Sequence, residues 1–282
     1  MKRLVQLLLI ILSAFYLVSC NADPKGLVSS SDVDKRFGDS ASLSVKSNPD
    51  ITENEFSFIV ISDTHVYHGD GSKLTALKER LKQDKINDVD GSAGVNDKFL
   101  IACGDISQCG ASEDFQAFKD ALGPEFPVYT AIGNHDLYFD GWHNYREIFG
   151  KSCYTFKAGE VLFISFDSAN GTLGRKQKNW LEGVLKSNTQ PLVVVFTHFE
   201  FFSPNTTTIQ QYTDIEEVYY LVHLFKKTGV DYVFMGHSHD YYDKVIDDQT
   251  HYVNVPGFVD KEKYLRVKVN VSNGTISCEE PR

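Results

Sequence analysis

The chain has no apolar run that spans a bilayer comfortably; its one extended apolar stretch, residues 4–18, falls short of the roughly 20 residues a membrane helix needs. It has no excess of positive charge either, with 28 Lys and Arg against 38 Asp and Glu for a net charge of −10. A surface of that sign has no broad attraction for phosphate backbones, so nucleic acid is not an expected partner. None of the five cysteines has zinc-knuckle spacing, which excludes a small metal-stapled fold. There is no internal repeat, and 282 residues leave no room for a second large domain. What is present is a 42% hydrophobic and 13% aromatic composition, enough for one substantial globular core.

The N-terminus reads as a targeting segment. Lys2 and Arg3 form a basic start, and the apolar stretch runs into Leu17-Val18-Ser19-Cys20. Those four residues resemble the lipobox of bacterial lipoproteins, in which the cysteine is lipidated and becomes the first residue. An ordinary signal peptide cut nearby, or an uncleaved anchor, is compatible with the same pattern. Removing residues 1–19 takes away Lys2 and Arg3 and leaves 26 basic against 38 acidic side chains, a net −12. The expected location is the bacterial cell envelope: an exported protein held on the membrane by lipid on Cys20, facing the periplasm or the exterior. Residues 20–50, rich in Ser, Asp, Lys and Asn without periodicity, read as a flexible tether spanning roughly 30 Å. The folded domain is expected over 51–282.

From Glu55 onward strand-like and helix-like patterns alternate. Apolar runs at 56–61, 99–103, 127–132, 192–196 and 230–235 predict strands. Leu74, Leu77 and Leu81 predict a helix over 72–83 with Ser72 as its cap, and Phe115, Phe118 and Leu122 a second, opened by Ser112 and stopped at Gly123-Pro124. Trp180, Leu181, Val184 and Leu185 mark a third over 176–186. Ile215, Val218, Val222 and Phe225 line a fourth, with Thr213 and Glu216 at capping-box spacing and Gly229 as the stop. Residues 153–157 and 161–166 predict a hairpin, and short runs at 252–255, 264–269 and 275–277 predict further strands. Parallel βα units followed by antiparallel strands imply a mixed-sheet α/β domain. Cys103, inside an apolar run, is expected to be a buried free thiol, while Cys109, Cys153 and Cys278 permit pairing without fixing it.

The residues that end those strands carry the chemistry. Asp63-Thr64-His65, Gly104-Asp105, Gly133-Asn134-His135-Asp136, Thr197-His198 and Gly236-His237-Ser238-His239 each follow an apolar run. Carboxylate, imidazole and amide oxygen are the ligands that Mn, Fe and Zn accept, and the C-terminal edge of a sheet is where α/β proteins build sites. Asp63 and His65, two apart, would face one side of an extended strand and reach one ion; His237 and His239 repeat that spacing. The joint pattern supplies enough ligands for two ions and points to metal-assisted hydrolysis. His68 reads as a substrate-facing or a surface residue, and His143, His223 and His251 as structural or solvated. Phe199, Phe201 and Phe202 read as core or as the wall of a leaving-group pocket. The loop at 203–212, with three consecutive threonines, is expected to border substrate.

Taken in order, these motifs resemble the calcineurin-like metallophosphoesterases over residues 55 to about 257. Gly110, closing the Gly-Asp-x-x-x-x-Gly segment, and the Gln177-x-x-Trp180-Leu181 helix fall in register with that pattern. The resemblance implies two mixed sheets packed face to face with helices outside, an αββα sandwich. It implies that Asp63, His65 and His239 bind one divalent ion, that Asn134, His198 and His237 bind another, and that Asp105 bridges them. It implies hydrolysis of phosphate mono- or diesters by a hydroxide between the ions, with His135 at the leaving oxygen; Asp136 would orient that imidazole or cap the next segment. The alternative is a membrane-anchored binding lipoprotein that keeps the fold without turnover.

The pattern also departs from named branches. Gln108 stands where purple acid phosphatases place a tyrosine ligand. Gly-Asp-Ile-Ser-Gln-Cys-Gly lacks the arginine of the Ser/Thr protein phosphatases, and the chain is too short for the extra C-terminal domain of the surface 5′-nucleotidases. The stretch from Gly104 to Phe118 is most similar to the small bacterial cyclic-nucleotide-phosphodiesterase-like enzymes.

Overall fold

Alternation along the first strand sets the layering of the molecule. Phe56, Phe58 and Val60 point into one apolar cluster, and Ile59 and Ile61 into another on the opposite face. The computed structural model describes residues 32–40, 42–43, 46–89, 91, 94–124, 126–202, 210–246 and 248–282. The leader at 1–19, Cys20 and residues 203–209 of the threonine-rich loop lie outside them. In chain order the elements are α1 (Asp32–Ser40), β1 (Glu55–Ile61), α2 (Ser72–Asn87), β2 (Asp97–Ala102), α3 (Ser112–Leu122) and β3 (Val128–Thr130). A 3-10 turn (His135–Leu137), α4 (Gly141–Phe149), β4 (Tyr154–Ala158), β5 (Val161–Ser165) and α5 (Gly174–Ser187) follow. The chain continues through β6 (Leu192–Phe196), α6 (Ile215–Thr228), β7 (Tyr232–Met235), β8 (Tyr242–Ile246), β9 (Thr250–Asn254), α7 (Phe258–Lys261), β10 (Leu265–Asn270) and β11 (Thr275–Cys278).

The strands form a five-stranded sheet, β11-β10-β1-β2-β3, and a six-stranded sheet, β4-β5-β6-β7-β9-β8. Both are mixed: β1, β2 and β3 run parallel while β10 and β11 are antiparallel, and β5, β6, β7 and β9 run parallel between antiparallel β4 and β8. The sheets pack face to face over an aromatic core in which Phe58 stacks on Phe99 at 5.1 Å and meets Phe163 edge-on at 5.3 Å. Each such fully buried ring stabilises the fold by about 1.5–3 kcal/mol. Helices α2, α3 and α4 cover the outer face of the first sheet, and α5 and α6 that of the second. The expected αββα sandwich is the observed fold.

Two local expectations are corrected. The cap of α6 is Asp214, whose side chain accepts from Glu216 N at 2.9 Å; Thr213 Oγ1 instead bonds Gly171 O. For α2 the cap position is Gly71, which has no side chain to offer, and Asp70 Oδ1, one residue earlier, rather than Ser72 accepts the first free amide, Ser72 N. A carboxylate is the stronger acceptor at a positive helix terminus.

The tether expectation is also corrected, because residues 32–40 are helical. Helix α1 packs on α5, with Phe37 against Trp180 at 5.9 Å and Asp34 Oδ1 accepting from Lys176 N at 2.9 Å. The folded body therefore starts well before Ile51. Residues 46–48 then run along the edges of both sheets. Lys46 Nζ bonds Thr130 Oγ1, Tyr129 Oη donates to Ser47 O, and Lys157 N donates to Asn48 Oδ1. The four cysteines described, Cys103, Cys109, Cys153 and Cys278, are free thiols.

Candidate metal centre

Five strands, β1, β2, β3, β6 and β7, deliver their C-terminal residues to one place, where the edges of the two sheets meet. Beyond the strands proper the loops stay laced together: Asp63 N donates to Gly104 O, His65 N to Asp105 O and Val66 N to Ile106 O. The convergence is tight. Gly133 lies so close to Asp105 that a Cβ there would sit 2.1 Å from its Oδ1, and a Cβ on Gly236 would sit 1.9 Å from Ser62 Oγ. Only glycine fits at either position.

All seven expected ligands come together, in two groups that share Asp105. Asp63, His65 and His239 form one cluster, with His65 Nε2 3.3 Å from His239 Nε2 and His239 Nε2 3.4 Å from Asp63 Oδ1. Asp105, His198 and His237 form the other, with His198 Nε2 3.2 Å from both His237 Nδ1 and Asp105 Oδ2 and 3.0 Å from Asn134 Oδ1. Asp105 Oδ2 is also 3.8 Å from His65 Nε2, which places this one carboxylate between the groups. Its other oxygen accepts from His135 N at 2.8 Å.

The route to this convergence differs from the alternation expected of extended strands. Asp63, His65, Asp105, His237 and His239 all have positive φ, between 44° and 77°. The Asp-x-His pair thus meets through left-handed turns, and His237 and His239 diverge into different clusters. Such conformations cost of order 1–3 kcal/mol each for residues other than glycine and collect at functional sites.

Hydrogen bonds to the far side of each ring fix the tautomers. His198 Nδ1 donates to Cys103 O at 2.8 Å, His237 Nε2 to Gln210 O at 2.7 Å, and His239 Nδ1 to the Asp260 carboxylate. Each neutral ring then turns a lone pair inward, towards other lone pairs of Asp63, Asp105 and Asn134. Acceptors facing acceptors at 3.0–3.4 Å are satisfied by a proton or by a shared cation. The donor set, N and O ligands around a shared carboxylate, fits two divalent ions of the Mn, Fe or Zn type.

The titration behaviour agrees with a cation-seeking site. Burial pushes the carboxyls of Asp63 and Asp105 upward, but the neighbouring imidazoles outweigh it and hold both below the ordinary range. Burial opposes a charge on His198, yet Asp105 raises that imidazole to about 9; the bond to Asp63 raises His239 to about 9. His237, buried beside a charged His198, falls to about 4. Protons on two rings stand where divalent charge would otherwise stand.

His135 sits at the mouth of the centre, edge-on to His65 at 4.7 Å. Its Nδ1 is held by Gln108 O at 2.9 Å, not by Asp136. Asp136 is fully buried and spends its two oxygens on Ser107 N and Gly133 N, both at 2.9 Å. Burial and the charge of Asp105 raise its carboxyl to about 8. The orienting role expected of Asp136 is corrected: it clamps the loops after β2 and β3, because backbone amides reach its carboxylate first.

Other side chains find their places around this centre. Phe199 stacks on His237 at 4.2 Å, whereas Phe201 belongs to the core under α6. His68 is exposed against Tyr67, His143 meets Arg146, and His251 pairs with Asp243. Gln177 is fully buried, bonding Asp167 N, Asp167 O and Leu173 O, so the Gln-x-x-Trp-Leu helix start is a structural hub. Sequence reasoning missed Asp260 and Gln210. They lie 21 and 27 residues from the rings they orient, with no spacing signal.

Comparison with known proteins bears on the same residues. The chain is 28% identical over 166 residues to the serine/threonine-protein phosphatase CPPED1 of Danio rerio, covering 50% of this chain and 54% of that protein. It is 30% identical over 91 residues to the 3′,5′-cyclic adenosine monophosphate phosphodiesterase CpdA of Vibrio vulnificus (strain CMCP6), covering 32% and 33%. The chain thus spans about half and a third of the lengths of these relatives. In fold it is similar to the crystal structure of a dimetal phosphatase from Danio rerio, with a TM-score of 0.59 at 14% identity over 76% of this chain and 92% of the other. The family model described as calcineurin-like phosphoesterase matches residues 56–241, a stretch that starts at β1 and takes in every ligand from Asp63 to His239. With more than half of the sequence inside that match, the chain belongs to the calcineurin-like phosphoesterase family.

Proposed function

We propose that the protein is a metal-dependent hydrolase of phosphate mono- or diesters. The observation that carries this reading is the Asp105 carboxylate set between two imidazole groups, 3.2 Å from His198 and 3.8 Å from His65. Asp63, His65 and His239 would hold one divalent ion, Asn134, His198 and His237 a second, and Asp105 both. When bound, the pair supplies Lewis acidity toward phosphate oxygens and lowers the pKa of water to near neutrality. A carboxylate shared by both, as Asp105 would be, would offset the mutual repulsion of two such ions.

His135 does the work that metals do not. With Nδ1 donating to Gln108 O, its Nε2 is left to face the leaving oxygen, and when the ring also carries a proton on Nε2 it would give that oxygen a proton or a hydrogen bond. On that side a recess of about 700 Å³ opens between Tyr67, Gln108, Cys109, Tyr138, Phe139 and Val259. Its walls carry no full charge, and Phe139 is 96% exposed. The recess suits an uncharged, largely apolar leaving group. We also propose that the protein is exported and anchored through lipid on Cys20, the reading its leader supports.

Metal-stripped protein reconstituted with Mn, Fe or Zn is expected to take up two ions per chain and to turn over aryl phosphate mono- or diesters. His135→Ala should keep both ions and lose turnover, most severely on poor leaving groups. Two bound ions with no turnover on any phosphoester would instead favour a binding protein. Cys20→Ser should move the protein from the membrane fraction to the soluble one; unchanged membrane association would remove the lipid anchor from the proposal.

A further inference from the structure

Helix α1 lies outside the stretch matched by the family model, yet it reaches the metal centre through buried contacts. Arg36 is 5% exposed and forks onto Asp167, with Nε donating to Oδ2 at 2.9 Å and Nη2 to Oδ1 at 3.0 Å. Asp167 Oδ1 also accepts from Ala169 N at 3.1 Å, closing a turn around Ser168. The Ser168 hydroxyl then accepts from Phe199 N at 2.9 Å and lies 2.8 Å from Thr197 Oγ1. Thr197 and Phe199 are the two chain neighbours of His198. Asp167, Ser168, Thr197 and His198 are all 1% exposed or less, so bulk solvent does not reach these contacts.

Gln177 holds the backbone of Asp167 at both N and O, so the main chain at that point stays put without Arg36. Gln177 does not hold the carboxylate, and the carboxylate is what closes the turn that aims Ser168. A bidentate arginine fixes the plane of a carboxylate as well as its charge. Metal–ligand distances in well-formed sites lie within about 0.2 Å of their standard values.

We propose that Arg36 is a positioning residue for His198: the docked N-terminal helix sets the affinity of the ion held by Asn134, His198 and His237. Among the described residues, the ion that Asp63, His65 and His239 would hold has no such link to α1. The inference rests on the two-ion reading above. It makes the segment that connects the domain to its leader part of the control of the centre.

The test is a Zn²⁺ titration of metal-stripped, full-length chain against a chromophoric chelator, with His237→Ala identifying which binding step belongs to the affected ion. Arg36→Leu should weaken that step about 10- to 100-fold, the range found when orienting partners of metal ligands are lost, and leave the other nearly unchanged. Unchanged affinities, or equal weakening of both steps, in a variant with the parent's circular dichroism would overturn the proposal. Should Arg36→Leu fail to fold, Arg36→Lys carries the test, because it keeps a charge on Asp167 but cannot fork. It should weaken the same step about three- to tenfold, and no change would overturn the assignment. Asp34→Ala removes the oxygen that caps α5 without touching Asp167 and should leave both steps intact. If it weakens the His198 step as much as Arg36→Leu does, the role assigned to Arg36 falls. A parent chain that binds fewer than two ions would overturn the two-ion reading together with this one, a result distinct from two ions that ignore Arg36.

Discussion

The metal centre and the Arg266 cluster both bury carboxylates against the first sheet, one beyond the C-terminal ends of its parallel strands and the other near their N-terminal ends. Around Arg266, which is fully buried, Nε donates to Asp97 Oδ1 at 3.0 Å and Nη2 donates to Asp84 and Asp97 at 3.0 Å each. Tyr264 Oη adds a bond to Asp84 and Ser57 Oγ one to Asp97. This cluster brings its own cation, and Asp97 and Arg266 sit in regular strands. At the other edge Asp63 and Asp105, themselves at positive φ, accept from the backbone amides of His237 and His135, and among the described residues the side chains that could match their charge are imidazoles. A buried carboxylate matched by a guanidinium is a strut. One matched only by titratable rings, on strained backbone, is a receptor for charge from outside.

Exchanging the role of each cluster tests that distinction. Arg266→Leu strands the buried Asp97 carboxylate and should cost about 3–5 kcal/mol in denaturant unfolding while turnover per folded molecule stays near that of the parent. A loss of activity without loss of stability would erase the contrast. Asp105→Asn should instead lower turnover at least about a hundredfold and weaken both ions with the Arg266 strut intact, the metal-free protein losing only the stability that this carboxylate lends through His198.

The pH response sharpens the comparison. His198 and His239, raised to about 9 in the metal-free protein, lend stability that is complete below their ordinary pKa of 6.5 and fades as pH rises through about 9. Metal-free protein should therefore lose stability between pH 7 and 9, and metal-loaded protein should not. Calorimetry in buffers of different ionisation enthalpy should show protons released on metal binding at pH 7. Asp84, held low by Tyr264 and Arg266 against the upward push of burial, works in the opposite sense. Its contribution is present above the ordinary carboxylate pKa of 3.8 and is lost in acid whether or not metal is bound. The smallest effect expected is at the recess: Phe139→Ala should raise KM for aryl esters about five- to thirtyfold and leave that for small leaving groups alone, since one apolar contact is worth about 1–2 kcal/mol.

What the sequence made legible follows the same division. The convergence of the seven candidate ligands could be read because each closes an apolar run, and the two sheets because their strands alternate cleanly between inner and outer apolar clusters. Helix α1 could not, since its buried apolar contribution is little more than Val33 and Phe37, and what holds it is Arg36 on Asp167, 131 residues away. The left-handed geometry of the ligand loops was hidden because Asp and His occupy it only under tertiary constraint. Asp136 looked like a partner for its neighbour His135. Local adjacency in sequence lost to two backbone amides, one of them on the loop after β2.

Strands β3 and β4 are the outermost members of their sheets on one side, and residues 46–48 lie along both. An uncovered strand margin is a template for pairing with another chain. The stretch leading out of the domain therefore doubles as a seal against self-assembly. Protein trimmed to begin at Ile51 should recruit a second copy of itself along the bared margin, whereas the longer chain stays solitary there.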